Sequence, residues 1–327
     1  MRTKDLVWVL SLGLGLSCDG DKDSATCLST LYGTFPAYGA TAADLASPIR
    51  FTIARADPTA TITTTIPGTQ VVETQADGLT TDVLWVPDAP LSPDTDYRLE
   101  LGWCDGVAAL DFHTLALGAA PDTAQLATRS WAIFLQNGRV AQPAEAGDAV
   151  VEQLVLPAIL LSVTSVEGTA IHLRAGLSTA MAATGPQNWC AATMEMVGDY
   201  SLAPYFIVTA DEMALPVNDE VTTIRDVRIT GTFADDGSRI DHLTLWGQID
   251  VRQGSTSTGY TPDELCTSVM PQLGVYCEPC ADSLKYCMTL GFDEITAPEA
   301  GSALDPVPGN NCESCSTQAP ASDAVCE

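Results

Sequence analysis

Residues 227–251 of the chain read VRITGTFADDGSRIDHLTLWGQIDV. Apolar and polar residues alternate from the start of this stretch to Phe233, and they alternate again from Leu243 to its end. A period of two is typical of strands that bury one face. The turn sequence Asp-Asp-Gly-Ser at 235–238 separates the two runs, and Asp-Gly is a strong hairpin signal. The stretch therefore predicts an antiparallel β-hairpin.

The sequence on the N-terminal side of this hairpin has the same character. Further period-two runs occupy 131–136 and 171–175. The nearly continuous apolar run 154–163 is typical of a strand that is buried on both faces. We therefore predict a mainly β domain over 128–295, in which a mostly antiparallel sheet is closed into a barrel or stacked into a sandwich. Such shells enclose a ligand in some proteins and are filled by side chains in others.

One helix and a polar tail follow the hairpin. Thr261 suits the N-cap of a helix, and Gly274 suits its end. Residues 296–327 consist largely of Pro, Ala, Ser, Asn and Asp and carry three cysteines. This composition is too polar to build a core, so we expect a cysteine-containing tail that is extended or disordered.

Residues 27–115 predict a separate β domain. Period-two runs lie at 49–53, 97–103 and 110–112, and prolines between them exclude long helices. Short strands with regular turns favour a β-sandwich. An Ala-rich linker over 116–127 separates it from the second domain.

Three short motifs in this first domain resemble a known family. Phe35-Pro-Ala-Tyr-Gly-Ala40 fits P-x-x-G-A, Leu91-Ser-Pro-Asp-Thr-Asp-Tyr97 fits L-x-P-x-T-x-Y, and Phe112-His-Thr114 fits F-x-T. With these motifs, residues 27–115 resemble the bacterial Ig-like domain of S-layer and other surface proteins. The resemblance implies an Ig-like β-sandwich that serves as a spacer or adhesion unit without catalytic residues. We also expect a corner role for Tyr97, with its hydroxyl bonded to nearby backbone.

The first 18 residues, MRTKDLVWVLSLGLGLSC, have the order of a bacterial secretion signal. Two basic residues are followed by a largely apolar run, which is shorter than the roughly 20 residues of a transmembrane helix. The end of the run resembles a lipobox, where lipoprotein signals are cut before a lipid-modified cysteine, although Gly15 replaces the usual leucine. We predict a signal peptide over 1–17, lipidation at Cys18 and an acidic tether over 18–26. An ordinary secretory signal cut after Ser17 is the alternative.

Charge limits the partners of the chain. It has 42 acidic and 14 basic residues, which gives a formal net charge of −28. Such a surface repels nucleic acid and anionic lipid head groups. We expect an exported lipoprotein of the periplasm or cell surface, held at a membrane through its lipid anchor. An envelope protein or a polysaccharide is the expected partner, and nucleic acid is not.

The eleven cysteines indicate disulfides, because disulfides persist in exported proteins. Lipidation of Cys18 would leave an even number for pairing. Cys27 and Cys104 are the only two in the first domain, and we pair them. The connectivity of the others is left open, and these are Cys190, Cys266, Cys277, Cys280, Cys287, Cys312, Cys315 and Cys326.

Two other chemistries compete with disulfides. Cys277-x-x-Cys280 and Cys312-x-x-Cys315 have the internal spacing of zinc ligands, but the 31 residues between the pairs exceed the usual zinc-ribbon spacing. Cys277-Glu-Pro-Cys280 also resembles a thioredoxin-type redox motif, which requires a helix N-terminus within a βαβ unit. The surrounding β pattern does not predict such a unit. We therefore expect disulfides, no metal site and no cofactor.

The segment Gly-Leu-Ser-Thr-Ala at 176–180 resembles a nucleophile elbow in which Ala replaces the last Gly. An α/β-hydrolase needs alternating strands and helices, which the pattern lacks. We therefore predict no catalytic residues and a non-enzymatic structural or binding module of the envelope. A carrier of a hydrophobic ligand in the second domain is one alternative. The other is an exported hydrolase using Ser178 with a histidine, His172 or His242.

Overall fold

The computed structural model describes residues 29–54, 57–74, 80–104, 106–142, 157–179, 185–189, 191–217, 220–253, 259–272, 275 and 277–308. The predicted signal peptide and tether lie outside the described residues. So do six of the cysteines, which are Cys18, Cys27, Cys190, Cys312, Cys315 and Cys326. The described part of the chain is mainly β, as the sequence predicts.

Seven strands form the N-terminal module, residues 29–115. They are β1 (Thr30–Phe35), β2 (Ile49–Ala54), β3 (Thr61–Thr64), β4 (Gly68–Thr74), β5 (Thr80–Pro87), β6 (Asp96–Trp103) and β7 (Gly106–His113). One antiparallel sheet has the order β1-β2-β5-β4, and the other has the order β3-β6-β7. The two sheets share one apolar core, to which Phe51 and Val83 contribute from the first sheet and Leu99 and Leu110 from the second.

The three sequence motifs of this module meet at one of its ends. The Tyr97 hydroxyl accepts a hydrogen bond from the backbone N–H of Ser92 at 2.9 Å, which confirms the predicted bond to nearby backbone. The Thr114 hydroxyl donates to the Ser92 carbonyl at 2.7 Å, so the second motif contacts the third. The N–H of His113 donates to the Ala40 carbonyl at 2.7 Å and links the third motif to the first.

The remaining strands build the second module. They are β8 (Arg129–Ile133), β9 (Arg139–Gln142), β10 (Ile159–Glu167), β11 (Ala170–Leu177), β12 (Met194–Asp199), β13 (Tyr205–Val217), β14 (Glu220–Phe233), β15 (Arg239–Asp250), β16 (Glu278–Pro279) and β17 (Lys285–Ser302). Eight of them close an antiparallel barrel in the order β8-β10-β11-β12-β13-β14-β15-β17, and β17 pairs with β8 to complete the ring. The short strands β9 and β16 add to β17. Of the two predicted arrangements, barrel and sandwich, the structure shows the barrel.

Side chains fill the described interior of this barrel. The predicted hairpin is β14 and β15, and the backbone carbonyl of Gly237 in its turn accepts a hydrogen bond from the indole of Trp131 at 3.0 Å. The ring centroids of Trp131 and Phe206 each lie 5.0 Å from that of Phe233, and all three side chains are fully buried. An eight-stranded barrel is just wide enough to be filled in this way.

The last strand extends beyond the domain boundary that the sequence predicts at residue 295. β17 continues to Ser302, and its C-terminal end pairs with β8. Residues 303–308 then lie along the barrel, with Leu304 and Val307 buried and the Val307 N–H bonded to the Thr193 hydroxyl at 2.9 Å. The composition predicted an extended or disordered tail from residue 296. The structure instead continues β17 through this region, where small residues such as Ala297 are buried. Residues 309–327 lie outside the described part.

The predicted helix is a short helical segment over 262–272, made of Pro262–Glu264, a π-helical turn Leu265–Val269 and Met270–Gln272. Thr261 caps it through a reciprocal capping box with Glu264. Next to it, disulfides join Cys266 to Cys277 and Cys280 to Cys287.

These two bonds confirm the prediction that these four cysteines form disulfides. The sulfurs of Cys280 and Cys287 lie near the Asp250 carboxylate, but a sulfur held in a disulfide is no longer the thiolate that binds zinc. Cys277 and Cys280 bond to different partners, so the Cys277–Cys280 disulfide that a redox motif would require is not formed. Cys104 is also disulfide-bonded. Its proposed partner Cys27 lies outside the described residues, so that pairing stays a prediction.

Dithiothreitol is expected to lower the thermal midpoint of the protein by several degrees, whereas EDTA leaves it unchanged. The reductant opens two loops whose ends are 11 and 7 residues apart, and opening them frees the unfolded chain. Differential scanning fluorimetry measures the midpoint, and the double variant Cys266→Ala/Cys277→Ala should respond less to dithiothreitol. Stoichiometric zinc with free thiols after denaturation contradicts the expectation.

Candidate functional site

The two modules meet along a contact that we call the seam. On one side it is formed by the loop 41–47 and the outer face of the sheet β1-β2-β5-β4, and on the other by the outer face of β13 to β17. An apolar cluster lies within it, made of Leu45, Ala46 and Leu115 from the N-terminal module and Tyr205 from the barrel. All four are buried.

The Asp44 carboxylate sits beside this cluster and binds both modules. Its Oδ1 accepts hydrogen bonds from the hydroxyls of Tyr205 at 2.8 Å and Thr230 at 2.7 Å, both on the barrel. Its Oδ2 accepts from the N–H groups of Ala46 at 3.1 Å and Ser47 at 2.7 Å, which is the local turn that aspartate favours. The Ser47 hydroxyl adds a fifth bond at 2.7 Å.

The donors on the barrel are held in place by burial. Tyr205 is 1% exposed. Burial and the neighbouring Asp44 carboxylate raise the pKa of Tyr205 far above its usual value, so its hydroxyl keeps the proton that it donates. Thr230 is fully buried, and its hydroxyl also lies 2.7 Å from that of Thr244. Hydrogen bonds to a charged acceptor are among the stronger ones in proteins.

A second contact of the seam involves Arg50. The neighbouring residue Phe51 faces the core of the N-terminal module, so Arg50 faces outward from β2, yet it is only 7% exposed because the barrel covers it. Its guanidinium lies 5.5 Å from the ring centroid of Trp246 and donates a hydrogen bond to the side chain of Gln142. Phe35 meets the same Trp246 ring edge-on, at 5.1 Å between centroids.

Between these contacts lies a cavity of about 500 Å³ that is open to solvent. The first sequence motif lines one wall, and His242 and Glu294, on the paired strands β15 and β17, line the other. Both residues have positive φ angles, 51° and 55°, which are uncommon for residues other than glycine. The register of these strands shifts at Leu243, as at a β-bulge.

The charged groups that line the cavity are largely matched with one another. The buried Asp293 carboxylate accepts two hydrogen bonds from Arg139, at 3.0 and 2.5 Å. Burial nevertheless raises the pKa of Asp293, because the loss of water outweighs the bonds from Arg139. Arg139 also lies 3.4 Å from Glu294.

The charged groups of this lining are therefore largely engaged with one another, and the rest of the lining is mainly apolar, with Phe35, Pro36 and Ala37 among its residues. The mouth of the cavity carries the exposed Tyr38 and His242. Among its described lining residues, no hydroxyl is hydrogen-bonded to His242 as a nucleophile would be to its base.

The predicted hydrolase residues do not come together. The strands of the barrel alternate in direction, so Ser178, which follows the end of β11, and His242, near the start of β15, lie at opposite ends. His172 is the third residue of β11. Ser178 is buried and forms an isolated bridge with Gln187. This placement gives Ser178 no histidine base from either candidate.

Comparisons of the chain with protein-family models, with curated proteins and with solved structures found no match. None of the helices in the described part of the chain has the length and apolar character needed to cross a membrane.

Asp44 and Arg50 of the seam carry no sequence signal. Asp44 lies in an Ala-rich loop without a recognisable motif, and the alternation in β2 places Arg50 on a face that is ordinarily solvated. The outward residues of the predicted hairpin include Trp246, but also the charged Arg228 and Asp250. A single apolar side chain among charged ones is ordinary on a solvated face, so this pattern does not mark the seam.

Replacement of Asp44 by alanine is expected to lower the free energy of unfolding by about 2–4 kcal/mol, because the buried Tyr205 and Thr230 hydroxyls lose their charged acceptor. Tyr205→Phe should have a smaller effect, of about 1–2 kcal/mol, because it removes one bond. Urea denaturation measures both. Asp88→Ala, at an exposed position of the same module, is the control and should change little. An Asp44→Ala variant as stable as this control would contradict the role of Asp44.

Proposed function

We propose that the chain is an exported, lipid-anchored protein of the bacterial envelope that acts as a non-enzymatic structural or binding module. The observation that carries this proposal is the seam. It joins two β modules through buried contacts of Asp44 and Arg50, while the described barrel interior is packed with side chains. Two modules docked in this way keep a fixed position relative to each other and expose their outer surfaces to a partner, as a spacer or binding module requires.

The N-terminal module supports an Ig-like assignment. Its strand orders, β1-β2-β5-β4 and β3-β6-β7, are those of the ABED and CFG sheets of constant-type Ig domains. The bond from Ser92 to the Tyr97 hydroxyl has the form of the tyrosine corner of that fold. We therefore propose that residues 27–115 are a bacterial Ig-like sandwich, as the three sequence motifs suggest.

The barrel gives the carrier alternative less support. Trp131, Phe206 and Phe233 occupy the space that a hydrophobic ligand would take. The cavity at the seam is instead open to solvent and lined by both modules. An envelope protein or a polysaccharide that binds there is the partner we propose, and the charge of −28 disfavours nucleic acid.

The proposed anchor is tested at Cys18. Wild-type protein from bacterial membranes should carry added acyl mass, and Cys18→Ala should appear in the soluble fraction with its thermal midpoint unchanged, because the lipid holds the protein at the membrane without contributing to its fold. Fractionation and intact-mass analysis measure this, with Ser24→Ala in the same tether as control. Wild-type protein that is unmodified and freely soluble would refute the proposal.

A further inference from the structure

A group of carboxyl side chains lies in the seam around Arg50. Glu73 on β4 and Asp82 on β5 are directly opposite each other in the strand register. Glu278 on β16 lies on the barrel side of the same site. Thr289, which donates to its carboxyl, is two residues from Gly291, and Gly291 is the register partner of Gln142, which accepts a hydrogen bond from Arg50. We call Glu73, Asp82 and Glu278 the seam carboxyls. Three strands from two modules thus bring three acidic groups to one guanidinium.

Neutral groups hold two of these carboxyls in place. The Thr52 hydroxyl on β2 donates to Asp82 at 2.6 Å, and the Thr289 hydroxyl on β17 donates to Glu278 at 2.9 Å. Arg50 is the cation that acts on Glu73 and Glu278, and its guanidinium also contacts Gln142 and lies over the ring of Trp246.

Like charges that face each other across a strand pair destabilise it. The repulsion grows where burial lowers the effective dielectric constant. Among the described residues the three carboxyl groups outnumber the guanidinium that acts on them, so their negative charges repel one another. Because Glu278 belongs to the barrel and the other two belong to the N-terminal module, their repulsion pushes the modules apart.

We propose that the seam is a pH-responsive joint, in which protonation of Glu73 and Glu278 tightens the N-terminal module onto the barrel and their ionisation loosens it.

The protonation equilibria have the required direction. Burial raises the pKa of Glu278, and the charges of Glu73 and Asp82 raise it further, whereas Thr289 and Arg50 act in the opposite sense. Partial loss of water and the charge of Asp82 likewise raise the pKa of Glu73, against Arg50, although the residue as a whole stays exposed. A raised pKa means that the folded protein binds these protons more tightly than the unfolded chain. Stability from these groups therefore grows as pH falls from neutral towards the ordinary glutamate value of 4.5, and it is lost as pH rises through the raised pKa.

Other carboxyls act in the opposite sense in a lower pH window. Hydrogen bonds hold the pKa of Asp250 and Asp57 below the ordinary aspartate value of 3.8, although burial opposes them. Their contribution is present above that value and is lost as pH falls further. A measurement at pH 5 and above therefore avoids the window of these groups. The pKa values of Asp293 and His113 are also raised, so these two act in the same sense as the seam glutamates, and the comparison with Glu278→Gln separates them.

The test compares two substitutions that each remove one negative charge from the full mature chain. Glu278→Gln changes a seam carboxyl, and Glu167→Gln changes an exposed one at the end of β10. Thermal midpoints are measured at about pH 5 and pH 7.5 in low salt, where charge interactions are least screened. Wild type and Glu167→Gln should both be more stable at pH 5. Glu278→Gln should gain several degrees at pH 7.5, so that its difference between the two pH values shrinks.

Equal pH differences for the two variants would overturn the proposal. If Glu278→Gln fails to fold, Glu73→Gln, at the exposed rim of the same group, is expected to show the same reduction, and its absence would overturn the proposal. Calcium is the last arm. If calcium raises the wild-type thermal midpoint at pH 7.5 and Glu278→Gln abolishes this rise, the group binds a cation. The cation would then replace the proton as the ligand of the group.

The joint would let an exported protein respond to the pH outside the cell, and this biological reading rests on the function proposed above. The midpoint experiment itself does not, because it uses purified protein and is independent of lipidation at Cys18. Failure of the joint and failure of the envelope assignment are thus distinguishable.

Discussion

The Asp44 carboxylate is the contact on which the arrangement of the two modules depends. It accepts bonds from its own loop and from Tyr205 and Thr230 of the barrel. Both barrel hydroxyls are buried while the modules are docked, so separation of the modules would exchange their hydrogen bonds to a carboxylate for weaker bonds to water. The apolar cluster around Leu45 and Leu115 becomes exposed at the same time. Docking of the modules therefore couples hydrogen bonding to hydrophobic burial.

In this very acidic chain, several carboxyl groups lie close to one another at the seam. Two of the few cations, Arg50 and Arg139, lie there, and each faces more than one carboxyl group. Elsewhere, apolar packing stabilises the individual modules. The cores are therefore insensitive to protonation near neutral pH, whereas the contact between the modules depends on it. The same region contains the open cavity, so the shape of the cavity depends on how closely the modules dock.

Local patterns predicted the elements of the fold better than their assembly. The alternation in 227–251 predicted β14 and β15 with their turn, and the capping residue Thr261 predicted where the helical segment begins. The sequence did not decide between a barrel and a sandwich. Closure of the barrel depends on the pairing of β17 with β8, and these two strands are far apart in sequence. Asp44 and Thr230 are 186 residues apart, and no period or motif in either segment marks the other as its partner. The alternation of apolar and polar residues shows which residues face the core of their own module. It does not show which outward-facing residues are covered by the other module.

Differential scanning calorimetry of the full chain tests most directly whether the seam makes the two modules one unit. The account predicts a single transition with a calorimetric to van't Hoff enthalpy ratio of about 1, because the modules share buried contacts. It predicts that Asp44→Ala separates this transition into two, one for each module. Two independent transitions in the wild-type protein, at midpoints unaffected by Asp44→Ala, would contradict it.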